Sequence, residues 1–167
     1  MSVAEHRSKS PATVACFVLT VSDTRTLATE TSGRAIAEML EAAGHRVTGR
    51  HVVRDEPADV TRVVLDALGP GGAQVLITTG GTGIAKRDST YEALSGLFEK
   101  RLDGFGELFR MLSFEDVGPA AMLSRATAGV VRGRAVFMLP GSERAVRLAM
   151  ARLIIPELGH VVGQLEK

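Results

Sequence analysis

Apolar runs that alternate with helical periods constrain this chain more than any single motif does. Thr13 to Val21 is apolar apart from its threonines and reads as a strand buried on both faces. Ser32 to Ala43 places Ile36, Met39, Leu40 and Ala43 at helical spacing, with Gly44 as its stop. Arg46 to Val53 reads as a second strand. Val60, Val63, Val64, Ala67 and Leu68 mark a second helix, closed by Gly69-Pro70-Gly71-Gly72. Val75 to Thr78 reads as a third strand, and Ser89 opens a third helix in which Glu92 completes a capping box. Gly96 to Gly118 is less regular. Ala135 to Leu139 is a further strand and Ser142 to Leu153 a further helix, broken or kinked by Pro156 before a short C-terminal helix. Strands separated by single helices imply an α/β fold with parallel pairing and right-handed crossovers.

With 167 residues, 45% hydrophobic and 23% charged, the chain is the size and composition of one globular domain. No repeat or linker divides it. Residues 1–11 read as a flexible tail and 12–167 as a single domain. The net charge of +1, with arginines dispersed among acids, argues against a nucleic-acid partner, which calls for a basic excess. The single cysteine, Cys16, excludes a disulfide framework within the chain and reads as a small buried thiol. No apolar signal core opens the sequence and no apolar run reaches membrane-spanning length, so the expected location is the cytoplasm without membrane association.

In an open parallel sheet, ligands bind beyond the carboxyl ends of the strands. Here those ends are Ser22-Asp23, Arg54-Asp55-Glu56, Gly80-Gly81-Thr82-Gly83 and Pro140-Gly141-Ser142. All are polar or glycine-rich, and all fall on one edge if the pairing is parallel. Three glycines in four residues let a backbone approach a ligand and form an anion-binding nest of N–H groups. Thr82 adds a hydroxyl, and Lys86 and Arg87 follow within reach of a phosphate. The bland alternative is an ordinary tight turn, for which one glycine suffices. The turn has neither the dinucleotide spacing nor the lysine–hydroxyl pair of a P-loop.

Asp55 and Asp88 are the acids best placed for Mg²⁺, which commonly takes one or two carboxylates with phosphates and waters. Asp55 equally suits an N-cap ahead of Pro57, whereas Ser89 already fills the cap beside Asp88. Asp23 fits a turn residue and a ligand contact alike. Ser142 suits a helix N-cap, a role compatible with phosphate binding. Four of the six phenylalanines lie between Phe98 and Phe114, as core or, if partly exposed, as a subunit interface. Glu107 and Arg110 form a surface ion pair or face a shared site. The four histidines show no ligand spacing, and no nucleophilic triad can be assembled.

Leu19-Thr20-Val21-Ser22-Asp23-Thr24-Arg25, Thr31-Ser32-Gly33, Thr78 to Gly83, Arg87-Asp88, Gly104 to Arg110, Ser124-Arg125 and Leu139 to Ser142 occur in that order. The set resembles the molybdenum cofactor biosynthesis proteins of the MoaB/MogA type over nearly all of the chain beyond the tail. Phe109 to Ser113 is more similar to the MoaB branch. Glu30 stands where an aspartate is common, which keeps the charge.

The resemblance implies a three-layer α/β/α domain with a mostly parallel sheet. It also implies adenylylation of molybdopterin by ATP and Mg²⁺ with release of pyrophosphate. The family's essential acids fall on Asp55 and Asp88, as catalytic residues and metal ligands. Its substrate contacts fall on Gly80, Gly81, Thr82 and Gly83 and on Pro140, Gly141 and Ser142. Ser22, Asp23, Lys86 and Arg87 complete the expected binding set. A homo-oligomer, trimer or hexamer, is implied as well. The alternatives are a non-catalytic molybdopterin-binding protein and a scaffold whose phenylalanine-rich stretch meets a partner.

Overall fold

The computed structural model describes residues 2–167; Met1 lies outside the described residues. Six strands form one sheet: β1 (Ala15–Val21), β2 (Arg46–Val53), β3 (Val75–Thr79), β4 (Lys100–Arg101), β5 (Thr127–Val131) and β6 (Arg134–Leu139), in the order β2-β1-β3-β6-β5-β4. β1 runs parallel to β2 and β3, and β3 runs parallel to β6. Val21 pairs with Val53, Thr20 with Thr79, and Thr79 with Leu139. The four polar turns that follow these strands therefore share one edge of the sheet, as their pattern predicts.

Alternation along the strands feeds two cores. Cys16, Val18, Val75, Ile77, Ala135 and Phe137 pack on one face, and Leu19, Val21, Leu76, Val136 and Met138 on the other. The first face is covered by α2 (Ser32–Ala42), α5 (Asp103–Val117), α6 (Glu143–Ala149) and α7 (Ile155–Leu165). The second is covered by α3 (Pro57–Ala67) and α4 (Thr90–Ser95). This is the three-layer α/β/α arrangement with a mostly parallel sheet.

Several expectations need correction. The segment read as a flexible tail contains α1 (Val3–Ser8), opened by a Ser2–Glu5 capping box and laid against α7. Glycines of α7 make room for the chain behind it. A Cβ at Gly159 would stand 2.5 Å from the Pro11 carbonyl oxygen, and one at Gly163 would stand 2.9 Å from Ser10 Oγ. The irregular stretch is mostly α5, which buries Phe105, Phe109 and Leu112 yet exposes Leu108, Met111, Phe114 and Val117. A helix apolar on two sides has no clear period to read. Arg110 turns from Glu107 to the carbonyls of Ala126 (2.9 Å) and Ser124 (3.4 Å), although both side chains border one pocket.

β5 carries no strand signal in Thr-Ala-Gly-Val-Val, and it pairs antiparallel to both neighbours. Arg132 (φ 51°) and Gly133 (φ 70°) join it to β6 as a two-residue turn with both φ positive, a geometry usually announced by Asn-Gly or Asp-Gly. Helical dihedrals continue from Ala149 through Ile155, and a π-helical turn over Met150–Ile154, just before Pro156, interrupts the α-helical bonding between α6 and α7. Among the described residues no helix is long and apolar enough to cross a membrane.

Candidate functional site

Each glycine of the turn after β3 answers a different neighbour. Gly80 (φ 96°) brings its Cα so close to β1 that a Cβ would lie 2.2 Å from the Val21 carbonyl oxygen. At Gly81 (φ 71°) a Cβ would lie 2.1 Å from Thr90 Oγ1, and at Gly83 it would lie 2.6 Å from Asp88 Oδ2. Sheet and helix packing therefore account for Gly80 and Gly81, and Gly83 makes room for the Asp88 side chain, so the number of glycines is not in itself a ligand signal. The ligand signal is in the backbone: the N–H groups of Gly81, Thr82, Gly83 and Ile84 meet no acceptor among the described residues. Backbone amides without protein acceptors are the kind of donors from which anion-binding nests are built.

The turn floors a cleft of about 470 Å³. Pro140, Gly141 and Ser142 border it from β6, and Ser142 Oγ accepts from Ala145 N (3.1 Å) to cap α6. The expected cap and the expected cleft position coincide there. The opposite wall comes from α5 and the turn of 3-10 helix after it, through Ser113, Asp116, Val117, Leu123 and Ser124. Asp116 pairs with Arg144 beside this wall. Ser113 and Ser124 of that wall fall within stretches that carry the family resemblance, but Asp116, Val117 and Leu123 had no signal in the sequence, because α5 had no clear period.

A second cleft of about 200 Å³ shares Gly80 and Gly141 with the first. Ser22 lines it and accepts from the N–H groups of Arg25 (3.0 Å) and Thr24 (3.3 Å). Glu30 lies in its floor, only 2% exposed. Its Oε2 accepts from Gly33 N (2.7 Å) at the start of α2 and from Thr20 Oγ1 (3.1 Å), and Arg50 approaches Oε1 at 3.3 Å. The Gly141 carbonyl accepts from Ser32 Oγ (2.6 Å), and the Pro140 carbonyl from Thr79 Oγ1 (2.8 Å), so side chains of α2 and β3 tie down the turn after β6.

The acids separate. Asp88 lines the larger cleft and is half-buried; Oδ2 accepts from Ala85 N (3.1 Å), and Oδ1 takes no hydrogen bond among the described residues. Asp55 lies behind the glycine turn, 5% exposed, and lines neither cleft. Its Oδ1 accepts from Ser89 Oγ (2.7 Å) and Thr90 Oγ1 (3.1 Å), and Ser89 N donates to both oxygens at 3.3 Å. It does not cap α3, whose N-cap is Glu56 without a side-chain bond. Instead it supplies from a distance the cap that α4 lacks. Ser89 makes no side-chain cap bond, so the expected Ser89–Glu92 capping box does not form.

The expected cations also divide. Arg87 donates to Asp23 (2.7 and 3.1 Å) and to Glu56 (2.6 Å), and it borders neither cleft. This hydrogen-bonded guanidinium holds the Asp23 carboxyl below the usual carboxylate range. Asp23 also accepts from Asp55 N (3.2 Å), which ties the ends of β1 and β2. Lys86 is exposed beyond the turn. The sequence suggested that Lys86 and Arg87 would face a phosphate, and the structure brings neither into the clefts.

Among the described residues no three His, Cys, Asp or Glu side chains gather as a metal centre. A Mg²⁺ that draws most of its octahedron from phosphate and water needs only one or two carboxylates. The open Oδ1 of Asp88 fits that demand. Asp55 does not: both its oxygens accept from Ser89 N, and it is buried outside both clefts.

A family profile described as "Probable molybdopterin binding domain" matches residues 17–160. The molybdenum cofactor biosynthesis protein B of Halalkalibacterium halodurans is 52% identical over 168 residues, covering 100% of this chain and 99% of that protein. A crystal structure of a molybdenum cofactor biosynthesis protein B superposes with a TM-score of 0.91 at 48% identity, over 95% of this chain and 99% of the other. The tungsten cofactor synthesizing protein MoaB of Pyrococcus furiosus gives 0.85 at 37% identity, over 95% and 100%. The turns that meet at Gly80 and Gly141 thus sit within a matched domain that spans nearly the whole chain, and the protein belongs to the MoaB-type family of molybdenum cofactor biosynthesis proteins.

Proposed function

We propose that the protein adenylylates molybdopterin at the expense of ATP. A terminal phosphate oxygen of molybdopterin attacks the α-phosphorus of ATP, a new P–O bond forms, the bond to the β-phosphate bridge breaks, and pyrophosphate leaves. No proton has to move, because the attacking phosphate is already anionic near neutral pH. The site then needs no general base. It has to bring two anions together and stabilise charge on the attacked phosphorus. The observation that carries the reading is the meeting of two clefts at Gly80 and Gly141, beside four N–H groups without acceptors.

In this reading the amides of Gly81 to Ile84 receive phosphate oxygens, with Thr82, Gly141 and Ser142 completing the cradle. Ser22 shapes the smaller cleft. Asp88 holds Mg²⁺, which when bound neutralises phosphate charge. Lys86 reaches the substrates only from the rim, and Arg87 with Asp23 braces the strand ends. The apolar residues exposed on α5 and the following turn, Leu108, Met111, Phe114, Val117, Met122 and Leu123, suit contact with further copies in a trimer or hexamer. Light scattering checks that assembly, and fractionation checks the expected cytoplasmic location.

The deciding experiment incubates the protein with molybdopterin, ATP and Mg²⁺ and follows pyrophosphate. Release that needs all three supports the enzyme, and Asp88→Ala then abolishes release while molybdopterin still binds. Full turnover by that variant would remove the metal role from Asp88. A non-catalytic molybdopterin-binding protein is the second reading. It is favoured by the engagement of Arg87 and Asp55 in internal bonds, and it predicts binding without pyrophosphate.

A further inference from the structure

We infer that Arg125 is the positioning residue of the glycine turn, turning its amides toward the cleft without touching the ligand itself. Arg125 Nε donates to the Thr82 carbonyl (3.0 Å) and Nη2 to the Gly83 carbonyl (2.6 Å). In a trans peptide the carbonyl and the next N–H point in opposite directions. Holding these two carbonyls on the Arg125 side therefore directs the N–H groups of Gly83 and Ile84 away from it.

The need for such a clamp follows from the composition of the turn. Glycine permits backbone conformations that other residues resist, so a peptide plane between Thr82 and Ile84 can rotate at little cost. A rotated plane would present a carbonyl oxygen to an anion in place of an N–H. Arg125 selects one orientation because its planar fork matches two adjacent acceptors at once, which a lysine ammonium on a flexible stem does not.

The guanidinium is itself held. It pairs with Glu92 of α4, stacks 4.7 Å over the ring of Tyr91, and is only about a quarter exposed. It does not line the larger cleft; it borders a separate pocket with Tyr91, Arg110 and Thr127. Its effect on a ligand has to pass through the backbone it holds. The inference deepens the proposed adenylylation and rests on it for its kinetic readout, whereas its binding readout stands apart.

The test uses ¹⁵N-labelled full-length protein titrated with inorganic pyrophosphate. In the wild type the Gly83 and Ile84 amide resonances shift on binding. Arg125→Ala raises the pyrophosphate Kd about tenfold, the equivalent of one charge-assisted hydrogen bond, and Arg125→Lys recovers only part of the loss. Glu92→Gln keeps both carbonyl contacts and stays within about twofold of the wild type. Kinetically, kcat for pyrophosphate formation falls roughly a hundredfold in Arg125→Ala while KM for molybdopterin changes little. Should Arg125→Ala fail to fold, Arg125→Lys decides. The inference is overturned by wild-type affinity in Arg125→Lys, by equal damage in Glu92→Gln, or by Gly83 and Ile84 amides that ignore pyrophosphate. A wild type that binds pyrophosphate through these amides, shows the Arg125→Lys defect and never forms pyrophosphate refutes adenylylation and leaves the clamp standing.

Discussion

Removing the Asp55 carboxylate should destabilise the protein even when no metal is present. Asp55→Ala leaves the fully buried Thr90 hydroxyl without its acceptor and removes the cap from the Ser89 N–H. A buried donor left unsatisfied costs about 1–3 kcal/mol, and a lost helix cap about 1 kcal/mol. Ser89 Oγ, which is half-buried, recovers a partner from water, so the sum is about 3 kcal/mol. For a chain of this length that lowers Tm by roughly 6–12 °C. Asp55→Asn keeps the shape and one acceptor but turns an NH₂ group toward donors, so its loss is smaller, about 2 kcal/mol. Urea midpoints measured in EDTA at fixed protein concentration read both variants. If Asp55 served only to hold a cation, its removal without metal would be neutral or would relieve repulsion. A midpoint for Asp55→Ala within about 0.5 kcal/mol of wild type refutes the structural role.

Three further outcomes follow from the same contacts. Arg87 holds the folded-state pKa of Asp23 below its unfolded value, so this contribution to stability is present above about pH 4 and is lost as pH falls through the depressed pKa. The urea-midpoint difference between wild type and Arg87→Ala should therefore narrow between pH 7 and pH 3; a difference that widens on acidification contradicts the pair. Burial pushes the Cys16 thiol up to about 12, and the thiolate is the reactive form. Labelling by a thiol reagent at pH 8 should run at the rate of opening and accelerate only in urea, and fast stoichiometric labelling of the native protein would show that Cys16 is accessible. Gly159→Ala pushes a Cβ to within 2.5 Å of the Pro11 carbonyl and should raise hydrogen exchange across residues 3–8 while α7 stays protected; unchanged exchange there would mean that the segment shifts freely to make room.

Much of the architecture was written locally. Arg46 to Val53 is bounded as a strand by its own pattern, and β1, β3 and β6 are short apolar runs because both their faces are covered. Parallel pairing of those runs puts the Ser22, Asp55, Gly80 and Gly141 turns on one edge. What escaped the sequence lacked a clean period or a local signature. α5 is apolar toward both core and solvent, β5 is short with Ala-Gly in its middle, and α1 packs against α7, far along the chain.

The candidate site divides in the same way. Residue type and order were enough to place Gly80 to Gly83, Asp55, Asp88 and Ser142 together at the strand ends. They could not tell which of these face a ligand, because a side chain's partner is chosen by whatever the fold brings beside it. Arg87 follows the glycine turn in sequence, yet it is neutralised by Asp23 and Glu56 from the ends of two other strands. Asp55 stands two residues ahead of a proline that invites a cap, yet it bonds the start of a different helix. The sequence alone determined the edge of the sheet at which chemistry is possible. Only the tertiary structure decided that Asp88 borders the cleft, that Asp55 lies buried behind the glycine turn on Ser89 and Thr90, and that Arg125 meets the Thr82 and Gly83 carbonyls, because those directions depend on contacts between residues distant in the chain.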